Sequence, residues 1–201
     1  MCEPMTTSCS SSSCACKPTY SPCEGRCALN GLACNTNGAA ACGVWDFETT
    51  LQGVSLNTQT TGRFKTTGAS SMSVTLAPGG TRSFTVPYSA GAVVVLKIPL
   101  CTSRGGIAIY GHQLSARIRV DGAAGGFVLP YFQAFAFDSA GSDPPGLIDE
   151  LDNSITVGQW TSMTQTASGI EADSTAKELD ILINTPTEAG GTVYVDDIRV
   201  Q

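Results

Sequence analysis

The stretch Gln113-Leu114-Ser115-Ala116-Arg117-Ile118-Arg119-Val120 decides the fold. Its apolar and polar residues alternate without a break, the period of a strand with one face buried and one face in water. Leu114, Ala116, Ile118 and Val120 are expected to face a core, and Ser115, Arg117 and Arg119 to point away from it. Glu178-Leu179-Asp180-Ile181-Leu182-Ile183-Asn184 repeats the pattern, with Leu179, Ile181 and Ile183 inward. Working outward, strand-like segments recur near Trp45 to Glu48, Val54 to Thr58, Ser71 to Leu76, Arg82 to Val86, Ala92 to Ile98, Phe127 to Phe137, Ile155 to Gln165 and Thr192 to Val200. Gly, Pro and Asn separate them, and no helical stripe persists for a dozen residues. Roughly ten short strands predict an all-β fold, a two-sheet antiparallel sandwich. Asp138 to Asp152, which contains Asp143-Pro144-Pro145-Gly146, is expected to be its longest loop, rivalled by Pro99 to Gly111.

The cysteines divide the chain. Eight of the nine lie at Cys2, Cys9, Cys14, Cys16, Cys23, Cys27, Cys34 and Cys42, and only Cys101 lies beyond. Large apolar residues are scarce among them, so residues 1–43 are expected to form a small disulfide-stapled domain and 44–201 the sandwich. Zinc knuckles show paired C-x2-C steps, which are missing here, and the lone His112 is distant. Sequence cannot choose the disulfide pairing. Cys101, beside Leu100, is expected as a buried thiol. Cys2 is a candidate lipid-bearing first residue of a mature lipoprotein.

Stapled domains persist in oxidising compartments, which predicts a secreted or cell-surface protein whose signal peptide has been removed ahead of Cys2. The net charge of −6 falls on the larger domain, because Glu3 and Glu24 balance Lys17 and Arg26 in the smaller one. Such a surface repels phosphate backbones, so nucleic acid is not an expected partner. No apolar run is long enough to span a membrane.

Two clusters of side chains invite chemistry. Asp46 and Glu48 share one parity of the first sandwich strand, opposite Trp45 and Phe47. At the far end, Val193 and Val195 share one parity but Ile198 and Val200 the other, which predicts a β-bulge at Asp196-Asp197. If the first and last strands are neighbours, Asp46, Glu48, Asp196 and Asp197 converge. Carboxylates brought together repel one another unless a cation intervenes, and hard oxygen ligands select Ca2+. The alternative is four solvated strand-end charges.

The run Trp45-Asp46-Phe47-Glu48 with Gln52-Gly53-Val54, followed by Thr67-Gly68-Ala69-Ser70-Ser71-Met72-Ser73-Val74, resembles the opening of jelly-roll carbohydrate-binding modules. Tyr110 to Ile118, Gly158-Gln159-Trp160-Thr161 and Gly191-Thr192-Val193-Tyr194-Val195-Asp196-Asp197-Ile198 resemble later motifs of that family, in the same order. The resemblance covers 44–201 and implies a jelly-roll topology. It also implies a structural calcium held by Glu48 and Asp196, with Asp46 and Asp197 as contributors and a carbonyl from Thr67 to Ser71. Val54 departs from the family, which usually carries tryptophan there.

Sugars need aromatic platforms flanked by planar polar groups. Tyr131, Gln133 and Phe135 form one face of their segment, and with Arg117, Arg119, Asp180 and Asn184 they make the expected glycan surface. The competing reading places these aromatics in the core. The resemblance implies a packing role for Trp160, which its neighbours Met163 and Ile155 suit, so it is not assigned to the ligand. Catalysis is not expected: His112 is the only histidine and no nucleophile turn accompanies it. The reading is a non-catalytic binder of a polysaccharide or glycan. Its alternative is a structural or protein-interaction component of the cell envelope or extracellular matrix.

Overall fold

Alternation in sequence becomes alternation in burial. From Leu114 to Val120 the even-numbered residues are buried and the odd-numbered ones half-exposed. The computed structural model describes residues 7–10, 13–16, 20–23, 26–29, 43–48, 50–58, 65–100, 106–122, 132–137, 146–151, 155–168 and 175–201.

Near the start, β1 (Thr7–Ser10) and β2 (Ser13–Cys16) form one hairpin, and β3 (Tyr20–Cys23) and β4 (Arg26–Leu29) another. The following strands are β5 (Val44–Trp45), β6 (Ser55–Leu56), β7 (Ser73–Leu76), β8 (Arg82–Tyr88), β9 (Val93–Pro99) and β10 (Ile107–Ala108). Then come β11 (Gln113–Asp121), β12 (Phe132–Phe137), β13 (Gly146–Leu151), β14 (Thr161–Thr166), β15 (Thr175–Ala176), β16 (Glu178–Asn184) and β17 (Gly191–Val200).

Two antiparallel sheets make the sandwich. The six-stranded sheet runs β14-β11-β17-β8-β7, with β5 also paired to β17, and the five-stranded sheet runs β13-β12-β16-β9-β6. A small β10–β15 ladder lies outside both. Between the sheets sit Phe84, Val86, Ile118, Val193 and Val195 from one and Val94, Leu96, Ile98, Leu179, Ile181 and Ile183 from the other. Trp45 and Phe47 join them, the Phe47 ring meeting Phe84 with centroids 5.5 Å apart at 54°, a tilted arrangement favoured by ring quadrupoles. The fold is therefore an all-β jelly-roll sandwich.

Several expected elements change length. Residues 146–151, expected within a loop, form β13, the edge strand of the five-stranded sheet, and Pro99 to Gly111 contains β10. The opening strand stops at Trp45 because Phe47 takes a left-handed φ of 51°. Ile155 is buried in the core but lies ahead of β14. Tyr131, Cys2, Cys34, Cys42, Cys101 and the Asp143–Pro145 turn lie outside the described residues, so the expected lipid anchor and buried thiol do too. Among the described residues no helix is long and apolar enough to cross a membrane.

Candidate functional site

The first and last sandwich strands are neighbours: Ile198 pairs with Trp45 and Arg199 with Val44. On the same side of β17, β8 ends its pairing at Val195 opposite Phe84. Asp196 and Asp197 therefore occupy the gap between two partner strands. The expected bulge is there: along β11 the register passes from Arg117 opposite Asp196 to Ser115 opposite Arg199, with Asp197 at a φ of 50°. Phe47 and Gln52 also have left-handed φ, and these three are the only such non-glycine residues among those described. Such conformations cost about 1–3 kcal/mol each and concentrate where function imposes them.

The four acids have different surroundings. Asp196 is 4% exposed, and Glu48 is exposed. Burial pushes the Asp196 carboxyl up to about 6; the charges of Asp197 and Glu48 add to the rise, while the Asp197 N–H and Arg117 oppose it. That coupling brings Glu48 and Asp196 into one electrostatic neighbourhood. Asp46 Oδ1 instead accepts a hydrogen bond from Gln52 Nε2 at 2.8 Å, while Gln52 Oε1 accepts one from Phe47 N at 3.1 Å. One amide thus clamps the turn after β5. Asp197 is drawn toward Arg117 at 3.5 Å and Arg199 at 3.3 Å. In the turn that the family resemblance pointed to, the Gly68 carbonyl is taken by Ser89 N at 2.7 Å and Ser89 Oγ at 3.0 Å. Among the described residues no three His, Cys, Asp or Glu side chains stand close enough to hold one metal ion. The expected convergence of Asp46, Glu48, Asp196 and Asp197 on one ion is therefore not seen among the described residues.

The expected glycan surface divides between two sheets. Arg117 and Arg119 belong to β11 in the six-stranded sheet, whereas Gln133 and Phe135 belong to β12 and Asp180 and Asn184 to β16 in the five-stranded one. They cannot form one face, because parity along a strand says nothing about which sheet the strand joins. Within the five-stranded sheet the grouping holds in register: Phe135 pairs with Asp180 and Gln133 with Leu182, and Asp180 and Leu182 pair in turn with Lys97 and Val95 of β9.

Much of that outer face is covered. Val95 and Leu182 are buried, and Asp180 is 2% exposed and accepts a hydrogen bond from Asn57 Nδ2 at 2.8 Å. Lys97 and Glu178 form an ion pair at 2.7 Å. Toward the other end, where Asn184 pairs with Val93, both residues are half-exposed. Among the described residues the buried Asn184 Nδ2 has no hydrogen-bond partner. Such an amide donor costs about 1–3 kcal/mol unless something accepts from it. Sequence reading missed Asn57 and Lys97; Lys97 was legible as the one charge in the run Ala92 to Ile98.

On the six-stranded sheet, Arg119 pairs with Asp121 at 2.7 Å. Trp160 is half-exposed and lies outside the core cluster, contrary to the packing role implied for it beside Met163. Its ring centroid is 6.5 Å from that of Tyr194, the Arg117 guanidinium stands 4.9 Å from it, and its Nε1 donates to the Pro78 carbonyl at 3.1 Å. Met163 faces the opposite way because it is three residues on, at odd separation.

No known family model matches the chain, and no curated protein is similar to it in sequence. Solved structures do resemble it. A carbohydrate-binding module specific for non-crystalline cellulose superposes with a TM-score of 0.58 at 11% identity, covering 78% of this chain and 91% of that one. An arabinose-bound α-L-arabinofuranosidase gives 0.54 at 13% identity, over 84% of this chain and 28% of that one. The enzymatically active domain of tailspike protein 4 from bacteriophage CBA120 gives 0.50 at 12% identity, over 77% of this chain and 20% of that one. At such identities the likeness is one of fold, and in the two enzymes it spans a minor part of the chain.

Proposed function

We propose that the sandwich is a non-catalytic glycan-binding module of an exported or cell-surface protein, contacting its ligand at the Val93–Asn184 end of the five-stranded sheet. The observation that carries this reading is the half-exposed Val93–Asn184 pair, an open stretch of a sheet face whose Val95, Leu182 and Asp180 are covered. An asparagine amide offers sugar hydroxyls both a donor and an acceptor. The resemblance of fold to a cellulose-specific module supports the ligand class. Fold alone does not fix function, so the argument rests on the site.

A structural calcium at the β5–β17 corner belongs to the same proposal. The donor chemistry fits a hard cation: burial lifts the Asp196 carboxyl, and the charges of Asp197 and Glu48 add to the rise. Glu48 and Asp196 would hold the ion with non-carboxylate oxygens completing its shell. A cation bound there would supply the positive charge that favours the ionised form of Asp196 against its burial, and would tie the first strand to the last.

The test is affinity electrophoresis or calorimetry across soluble plant, microbial and host glycans, comparing the native chain with Asn184→Ala. Saturable binding that falls at least tenfold in the variant, with an unchanged melting temperature, supports the reading. Silence across the panel favours the structural or protein-interaction role. The coverage of Val95, Leu182 and Asp180 on that sheet suits the second role, because a covered face serves as a rigid block.

A further inference from the structure

The face of the six-stranded sheet turned away from the core carries an open depression of about 270 Å³. Two arginines and one aspartate border it, Arg117 and Arg199 meeting Asp197 at 3.5 and 3.3 Å. Both contacts are long beside the 2.7 Å pair of Arg119 with Asp121 on the same sheet. Two guanidiniums thus share one carboxylate through loose contacts, which leaves part of their hydrogen-bonding capacity uncommitted. Side-chain exposures of 35% for Arg117 and 43% for Arg199 leave their remaining N–H donors accessible.

Arg117 is also held in place. Its guanidinium stands over the Trp160 ring at 4.9 Å, and stacking of that kind fixes the plane of the donor fork before a ligand arrives. The floor and rim add hydroxyls from Ser115, Ser162 and Thr164 and amides from Gln113 and Gln201. The strand register places Ser162 opposite Arg117 and Thr164 opposite Ser115, so hydroxyls and cations lie in adjacent rows. A guanidinium takes a carboxylate through two parallel hydrogen bonds, and the surrounding hydroxyls and amides match ring hydroxyls. The volume lies below the roughly 300–1,000 Å³ typical of pockets for drug-sized ligands, and suits one sugar ring of a longer chain.

The geometry points to a second binding site here, for the carboxylate of a uronic-acid residue in an acidic polysaccharide. It lies on the opposite sheet from the Asn184 patch and does not depend on that patch. A free sugar acid carries the same carboxylate, and an acidic polypeptide presents similar charge without ring hydroxyls.

Calorimetric titration of the full chain with trigalacturonate, galacturonic acid and poly-glutamate separates these sources, with melting curves recorded for each variant. Arg199→Ala is expected to weaken trigalacturonate binding at least tenfold at unchanged melting temperature, and Ser162→Ala to weaken it severalfold. Asn184→Ala is expected to leave it unaltered, so failure of the five-stranded patch and failure of this site are read separately. Absence of trigalacturonate binding overturns the inference, as does equal binding by the Arg199 variant. Equal affinity for galacturonic acid overturns the polymer assignment, and equal affinity for poly-glutamate replaces the polysaccharide with a protein partner.

Discussion

Trp45 and Ile198 are cross-strand partners, joining the strand that opens the sandwich to the strand that closes it. Their pairing places Glu48 near Asp196 and concentrates three left-handed, non-glycine residues around one corner. The corner combines left-handed backbone with a buried, raised carboxyl, so it is where calcium and pH are expected to act.

Calcium is expected to raise the melting temperature relative to protein treated with chelator. Glu48→Gln and Asp196→Asn should each abolish the rise, whereas Asp197→Asn should preserve most of it, because Asp197 faces Arg117 and Arg199. Differential scanning calorimetry with and without calcium reads all three; an undiminished rise in Asp196→Asn would remove the site.

In the absence of ions the same residue sets a pH dependence. The Asp196 carboxyl lies at about 6 in the folded state against 3.8 ordinarily, so the folded chain holds this proton more tightly than the unfolded one. The associated stability is present below the unfolded value and is lost as pH rises toward the folded value. The loss is on the order of 3 kcal/mol once both states are ionised. The stability difference between Asp196→Asn and the native chain should therefore grow in favour of the variant as pH rises from about 4 to about 6. Urea titrations across that range check the slope, and a flat difference would contradict it.

Gly191 opens β17 with its backbone against Asp121. A Cβ there would run into the Asp121 carbonyl oxygen and close on the Gly122 Cα, and both obstacles are main chain. Gly191→Ala should cost about 2 kcal/mol or more through overpacking. Chemical denaturation gives the figure, and a loss below a few tenths would show that the two strands separate easily.

Asn57 bonds Asp180 beneath the covered part of the five-stranded sheet. Asn57→Ala should destabilise by about 1–3 kcal/mol, since it strips a donor from a buried carboxylate. Asn57→Asp should cost more, by adding a like charge at the same place. Denaturant midpoints for the two variants should fall in that order, and a reversed order would mean that water reaches the site.

Elements with unbroken alternation were legible in sequence. β11 buries only the residues its parity indicates, and β16 turns Leu179, Ile181 and Ile183 to the core as expected while Asp180 and Leu182, of the other parity, are covered too. The bulge at Asp196-Asp197 was legible for the same reason, since two apolar pairs of opposite parity cannot both face inward without an extra residue. β13 was not, because Gly146-Leu147-Ile148-Asp149-Glu150-Leu151 does not alternate and follows a turn-like Asp-Pro-Pro-Gly. Nor could parity assign Arg117 and Asp180 to different sheets, since strand partners are chosen by long-range pairing. The burial of Asp180 was hidden likewise: it depends on Asn57, which is 123 residues away in the chain.

β17 holds together three other strands of its sheet, pairing with β11 on one side and with β8 and β5 on the other. It is also the last strand in chain order. During synthesis, the earlier strands of that sheet must therefore wait on the ribosome without their common partner. Folding of the larger sheet is consequently a late event, and stalling before Gly191 would leave apolar edges available to chaperones or to aggregation.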